Sequence, residues 1–181
     1  MKKTLFLLIP AIILSSVNLV QAQYDNNWAV GFRLGEPLGA NIRKYFQDGA
    51  RAFDVNVGTY GLVYNNNRRY NNGEYKTAGF MVQGIYLFHQ PLFGKDWGHV
   101  YYGFGGQINS RRHFPDAWRF ESVKSVSKIS LGPTGTAGAE FKLPSPGLAF
   151  FIDAGVYVEA LPSPFFLNGQ ISAGLRVNMV K

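Results

Sequence analysis

The sequence predicts an all-β protein: an eight-stranded, antiparallel, up-and-down transmembrane β-barrel that follows a cleaved N-terminal signal peptide. Three observations favour this fold. Segment after segment alternates apolar and other residues with a period of two, and none has the period of an amphipathic helix. Glycine (21 residues) and aromatic residues (15%) are abundant, which suits strands and tight turns. The two longest connections between the segments also fall on the same side, as in transmembrane barrels.

The N-terminus has the features of a secretory signal. Two lysines follow Met1, residues 5–14 form an apolar run, and the segment ends at Ala22 in a small-x-small pattern. A membrane-anchoring helix is the alternative, but the run is shorter than the roughly 20 residues that a span needs, and Pro10 interrupts it. The predicted division is a signal peptide over residues 1–22 and a barrel over residues 23–181.

Eight strands are predicted in chain order. They cover residues 28–35, 38–46, 53–60, 79–89, 100–108, 129–141, 150–159 and 168–179. The last strand is two-faced, with Asn, Gln, Ser, Gly, Arg and Asn at even positions and apolar residues or glycine at odd ones. The fourth is apolar on both faces. In the sixth, Pro133 predicts a bulge or irregular pairing because proline cannot donate to a ladder.

The connections alternate between the two ends of the predicted barrel. With a periplasmic N-terminus, the outer loops lie near residues 36–37, 65–77, 109–128 and 160–167, and the inner turns near 47–50, 89–98 and 143–147. The outer loops include an Asn-rich segment over residues 65–72 and a long, charged, irregular stretch over residues 110–128.

The polar faces of the strands decide between two barrels. In a lipocalin-like soluble barrel the apolar faces would point inward, whereas in an outer-membrane barrel they face lipid. The polar set has arginines and carboxylates but no lysine, together with much glycine, and eight strands leave room only for a lumen filled by side chains. We therefore predict a lumen charge network. Its members are Arg33, Arg43, Asp54, Glu140, Asp153, Glu159 and Arg176.

Short motifs resemble a family. The segments 31–45, 101–106 and 138–143 look like small outer-membrane β-barrel proteins of the Bacteroidota type. The resemblance implies an eight-stranded barrel in the outer membrane of a Gram-negative bacterium, inserted by the outer-membrane assembly machinery, with a largely unassigned role. Many outer-membrane strands end in an aromatic residue, whereas this chain ends Asn178-Met179-Val180-Lys181.

No set of residues predicts catalysis, a metal or a cofactor. The chain has no cysteine, which excludes a thiol nucleophile and a disulfide scaffold. The three histidines, His89, His99 and His113, lack the patterned serine or carboxylate of a hydrolase. We interpret His89 and His99 as polar residues at strand ends, with a metal site at the inner rim as the alternative.

The outer loops carry basic and aromatic residues that are candidates for contact with lipopolysaccharide phosphates or a protein partner. These residues are Arg68, Arg69, Arg111, Arg112, Arg119 and Trp118. A solvated loop that touches the membrane interface is the alternative. Nucleic acid is excluded by the compartment, although the net charge of +7 would permit it.

Three functions follow from these features. The favoured one is a non-enzymatic barrel that stabilises the envelope or binds a partner through its outer loops. The second is a narrow transport barrel for small hydrophobic molecules, with a lateral gap at Pro133, and the third is an enzyme that modifies lipid A.

Overall fold

The computed structural model describes residues 27–61, 69–70, 73–77, 79–115, 126–145 and 147–179. The predicted signal peptide and most of the predicted Asn-rich loop lie outside the described residues. Within the described ranges, no helix is long and apolar enough to cross a membrane.

The described residues form ten β-strands, and eight of these close into an antiparallel barrel. The strands are β1 (Trp28–Gly35), β2 (Leu38–Phe46), β3 (Arg51–Tyr60), β4 (Arg69–Tyr70), β5 (Gly73–Thr77), β6 (Gly79–Leu92), β7 (Lys95–Pro115), β8 (Val126–Lys142), β9 (Leu148–Glu159) and β10 (Phe166–Met179). The barrel order is β1-β2-β3-β6-β7-β8-β9-β10, and β10 pairs with β1 to close it. The predicted eight-stranded fold is confirmed.

The closing seam is regular. Every residue of β1 pairs with β10, from Trp28 opposite Met179 to Gly35 opposite Ser172. The two short strands lie outside the closed barrel, where β5 pairs with the outer end of β7 and β4 pairs with β5. Because β1 is paired along its whole length, the first and last barrel strands protect each other's edges.

The connections between strands are shorter at one end of the barrel than at the other. At one end, the turns at residues 47–50 and 93–94 and the connection from Lys142 to Leu148 are short, as at the periplasmic end of transmembrane barrels, and we call this end the inner end. The prediction of an inner connection over residues 89–98 is wrong, because the connection is shorter: β6 continues to Leu92 and β7 begins at Lys95. Pro91 fits in β6 because it lies beyond the residues that pair with β3, where proline is tolerated.

The long outer connection is also shorter than predicted. Its two flanks are regular strand, because β7 continues to Pro115 and β8 begins at Val126. A strand needs about 9–11 residues to cross a bilayer, so the outer ends of β7, with 21 residues, and β8, with 17, project beyond the other barrel strands.

The pairing of β8 is irregular next to Pro133, as predicted. On one side β8 pairs with β7 through Pro133 without interruption. On the other side Thr134 pairs with Tyr157, a register that would place Leu131 opposite residue 160, but Leu131 bridges Leu161 instead. The Leu131 N–H donates to the Leu161 carbonyl at 2.9 Å, so the two strands stay joined past the irregularity.

The two faces of the barrel wall have opposite polarity. On β10, Gln170, Arg176 and Asn178 point inward and are at most 4% exposed, whereas Ile171 is 69% exposed and Leu175 is 50% exposed. The arrangement is that of a transmembrane barrel. The alternative of a soluble lipocalin-like barrel is therefore wrong, because that barrel would bury the apolar face.

Aromatic residues cluster at the inner end of the wall. Trp97 stacks on Phe141 with ring centroids 5.9 Å apart, and Phe88 stacks on Tyr102 at 5.3 Å. Arg51 lies over the Phe88 ring, 4.7 Å from its centroid. This combination of rings and basic side chains suits the boundary between hydrocarbon and headgroups.

Candidate functional site

Six of the seven residues predicted as a lumen charge network are joined by ion pairs between the inner end and the middle of the barrel. They are Arg33, Arg43, Asp54, Glu140, Asp153 and Arg176, and none is more than 5% exposed. Three guanidinium groups therefore face three carboxylates. This balance matters because a buried charge without a partner is strongly destabilising. We call these six residues the inner charge cluster.

Glu140 is the centre of the inner charge cluster. Its carboxylate accepts hydrogen bonds from Arg43 Nη1 at 3.0 Å, from the Tyr45 hydroxyl at 2.8 Å and from Arg176 Nη1. Arg43 also donates to the two carboxylate oxygens of Asp54, at 3.1 Å each. One carboxylate on β8 thus connects β2 and β10 across the barrel.

Arg33 forms the second arm of the cluster. Its Nη2 donates to Asp153 Oδ1 at 2.5 Å, and its Nε donates to Ser172 Oγ at 3.2 Å. The Tyr101 hydroxyl donates to the other oxygen of Asp153 at 2.9 Å. Gly138 makes room for this tyrosine, because a Cβ atom there would come within 2.8 Å of the Tyr101 ring.

Neutral side chains cross the middle of the lumen. Gln83 Nε2 on β6 lies within hydrogen-bond distance of Gln107 Oε1 at 2.9 Å, Thr134 Oγ1 at 3.1 Å and Gln170 Oε1 at 3.1 Å. Asn56 Nδ2 donates to Gln83 Oε1 at 2.9 Å. Five barrel strands therefore meet at this level through uncharged groups.

The seventh predicted residue, Glu159, lies apart from the other six. It pairs with Arg111 at the outer end of the lumen, where Arg111 Nε is 2.6 Å from Glu159 Oε2 and both residues are fully buried. The Ser130 hydroxyl donates to the same carboxylate at 2.7 Å and lies 2.6 Å from the Tyr157 hydroxyl.

This placement corrects the prediction for Arg111. Its side chain is fully buried inside the barrel and not on a solvated outer loop, because β7 extends past Arg111 and turns the side chain inward. The sequence contains a signal for this: the period of two continues through Gln107, Asn109, Arg111 and His113, all of which are buried.

The remaining loop residues have different positions. Arg112, the next residue of β7, is exposed, and its side chain is on the outer face of the barrel wall. Arg69 lies in β4, for which the structure describes the backbone. The predicted contacts Arg68, Trp118 and Arg119 lie outside the described residues.

Apolar and aromatic side chains close the inner end of the lumen. These buried residues are Ala29, Tyr45, Ala52, Ile85, Leu87 and Tyr101. Ile85 and Leu87 come from the strand with two apolar faces, so its sequence alone left their direction open. Together with the bonded side chains of Glu140 and Gln83, they form successive layers inside the barrel.

The histidines occupy two ends of the barrel. His89 is buried at the inner end, with Nε2 3.2 Å from Arg43 Nη1. His113 lies on the outer projection of β7, where burial, followed by the charges of Lys128 and Arg111, lowers its pKa. Among the residues whose side chains are described, no three histidine, aspartate or glutamate residues form a group suited to a metal ion.

The fold is similar to two solved outer-membrane barrels. The N-terminal β-barrel domain of Pseudomonas aeruginosa OprF matches with a TM-score of 0.60 and 11% identity, over 86% of this chain and 98% of that one. The chain has the fold of a small outer-membrane β-barrel. Neisserial surface protein A matches with a TM-score of 0.51 and 12% identity, over 84% of this chain and 95% of that one. No protein-family profile matches the sequence, and no curated protein matches it.

Proposed function

We propose that the protein is a small integral barrel of the bacterial outer membrane with a non-enzymatic role, in which it stabilises the envelope or binds a partner through its outer loops. The observation that carries the proposal is the combination of a lipid-compatible outer wall with a lumen crossed by bonded side chains. A wall of this kind suits an apolar environment such as the interior of a membrane. A lumen of this kind gives the barrel rigidity rather than a path for solutes.

A transport role for small hydrophobic molecules has less support. It requires either an open lumen or a lateral gap, and Pro133 is the candidate position for the gap. The hydrogen bonds of Leu131 with Leu161 hold β8 and β9 together past this proline. The Glu140 and Gln83 bonds cross the lumen at two separate levels.

An enzymatic role requires a nucleophile with a general base. The buried Ser130 hydroxyl is bonded to Glu159, whose charge is neutralised by Arg111. A carboxylate held in an ion pair is a poor base, so this arrangement supports the structural role of an outer cross-link between β7, β8 and β9.

The proposed outer contacts are with lipopolysaccharide or a protein partner, through the exposed Arg112 and the loops on either side of it. Arginine is suited to this contact because its guanidinium forms charge-assisted hydrogen bonds with phosphate. Insertion by the outer-membrane assembly machinery is part of the same proposal.

Two measurements test this function. Cells that produce the protein are fractionated, and the protein is run on gels with and without boiling; we expect outer-membrane recovery and faster migration of the unboiled form. Recovery in the soluble periplasm would end the proposal. In planar bilayers, we expect no steady conductance, and stable single-channel currents would favour the transport role instead.

A further inference from the structure

A groove runs along the outer wall beside the seam where β10 meets β1. It has a volume of about 350 Å³, and its lining consists of Phe32, Leu34, Phe150, Ala173, Gly174 and Leu175. We call it the β10 groove. No lining residue carries a charge or a polar side chain.

The groove exists because one small residue interrupts a row of large ones. Along the outward face of β10, Ala173 stands between Ile171 and Leu175, which are 69% and 50% exposed. Its cross-strand neighbours are Leu34 on β1 and Ile152 on β9, both of which also project from the wall. The methyl group of Ala173 therefore forms the floor of a narrow slot.

A cation stands on the same side of the barrel, at its inner end. Lys44 is on the outward, otherwise apolar face of β2, directly opposite Trp28 on β1. Its ammonium lies 5.3 Å from the centroid of the Trp28 ring. A lysine on a lipid-facing wall extends its charge to the headgroup level, where it meets phosphate.

The distance between the cation and the groove matches one membrane leaflet. Leu34, which is opposite Ala173, follows Trp28 by six residues on β1, which corresponds to roughly 20 Å along the strand. Because membrane strands are tilted by about 45°, this length spans a depth of roughly 14 Å. One leaflet of a bilayer contributes roughly 15 Å of hydrocarbon, half of its total thickness. An acyl chain whose headgroup lies at Lys44 therefore reaches the β10 groove.

We propose that the β10 groove and Lys44 form a binding site for one glycerophospholipid of the inner leaflet, with its phosphate at Lys44 and an acyl chain over Ala173. The inference rests on the proposed membrane location. A single polymethylene chain reaches the floor of the slot, whereas the wall of a second barrel is held off by Leu34, Leu175 and Ile152. Because lipid tails are as apolar as the wall, the groove contributes packing and Lys44 contributes headgroup selectivity.

The test uses the purified barrel in detergent micelles with increasing amounts of phosphatidylglycerol, followed by native mass spectrometry. We expect the wild-type protein to retain one phospholipid with saturable binding. Ala173→Phe fills the slot and lowers the apparent affinity at least about fivefold, while Lys44→Gln lowers it about fivefold, the effect expected from one basic residue near a membrane surface. Ala137→Phe, at a small outward-facing residue on β8, leaves binding unchanged.

The outcomes separate this site from the membrane location itself. Heat-modifiable migration of the wild-type protein and the three variants shows that each is a folded membrane barrel, whether or not it retains the phospholipid. Equal lipid retention by Ala173→Phe and Ala137→Phe would overturn the site. A wild-type dimer that Ala173→Phe abolishes would also overturn it, because the occupant would then be a second copy of the chain.

Discussion

Replacing Glu140 with glutamine removes the central anion of the inner charge cluster. The substitution keeps the size and shape of the side chain but leaves three arginines facing two carboxylates, Asp54 and Asp153. In the wild-type protein three groups donate to the carboxylate: Arg43, Tyr45 and Arg176. The glutamine amide has only one acceptor oxygen for these three donors.

The expected loss of stability is large because the site is fully buried. Breaking a buried ion pair costs about 3–5 kcal/mol, since the remaining charge stays away from water without a partner. Arg43 retains both of its bonds to Asp54, which favours the lower end of this range. We therefore expect Glu140→Gln to lower the free energy of unfolding by about 3 kcal/mol.

Urea unfolding of the barrel in lipid vesicles, followed by tryptophan fluorescence and gel mobility, measures this loss. Asp48→Asn is the matched control, because it makes the same carboxylate-to-amide change at an exposed position of an inner turn. The control should stay within about 0.5 kcal/mol of the wild-type protein. If Glu140→Gln were no more destabilising than Asp48→Asn, the cluster would not be a buried, paired network.

Three further predictions concern other parts of the barrel. Arg111→Met leaves Glu159 buried without its cation and should cost about 3 kcal/mol by urea unfolding, and adding Glu159→Gln should restore much of it; additive losses would contradict a direct pair. Leu175→Arg places a charge on the lipid face and should cost about 2–4 kcal/mol in the same assay, whereas a neutral effect would mean that this face is wet. The pKa of His113 is lowered in the folded protein, so its contribution to stability is complete above the unfolded pKa of about 6.5 and is lost as the pH falls through the folded value. His113→Gln should therefore reduce the difference between unfolding midpoints at pH 7.5 and pH 5.0, and an unchanged difference would assign the pH dependence to another group.

The sequence predicts the faces of the strands well because alternation is a local property. Residues 168–179 show which side chains share a side, and the absence of lysine from the polar faces indicates a lumen. The same property, followed past Gln107, places Arg111 inside. The composition of the stretch after Ser110 instead predicts a charged loop, whereas both flanks of that stretch are strand.

Contacts across the barrel cannot be predicted from local sequence patterns. Glu140 meets Arg43 and Arg176 because closure and register bring β8, β2 and β10 to the same height, and no sequence period encodes that. The inward direction of Ile85 and Leu87 was equally undetermined, since both faces of their strand are apolar and only the neighbouring strands decide between them.

The central claim is that the barrel presents its apolar face to lipid and fills its lumen with polar side chains. The cysteine-free sequence allows a direct measurement with single cysteines at two adjacent positions of β10, Gln170→Cys and Ile171→Cys. In vesicles containing lipids with a quencher in the acyl chain, a fluorophore on residue 171 should be quenched, whereas residue 170 should resist labelling in the folded barrel because it lies inside. Quenching at position 170 and ready access of water-soluble reagents to position 171 would contradict the account.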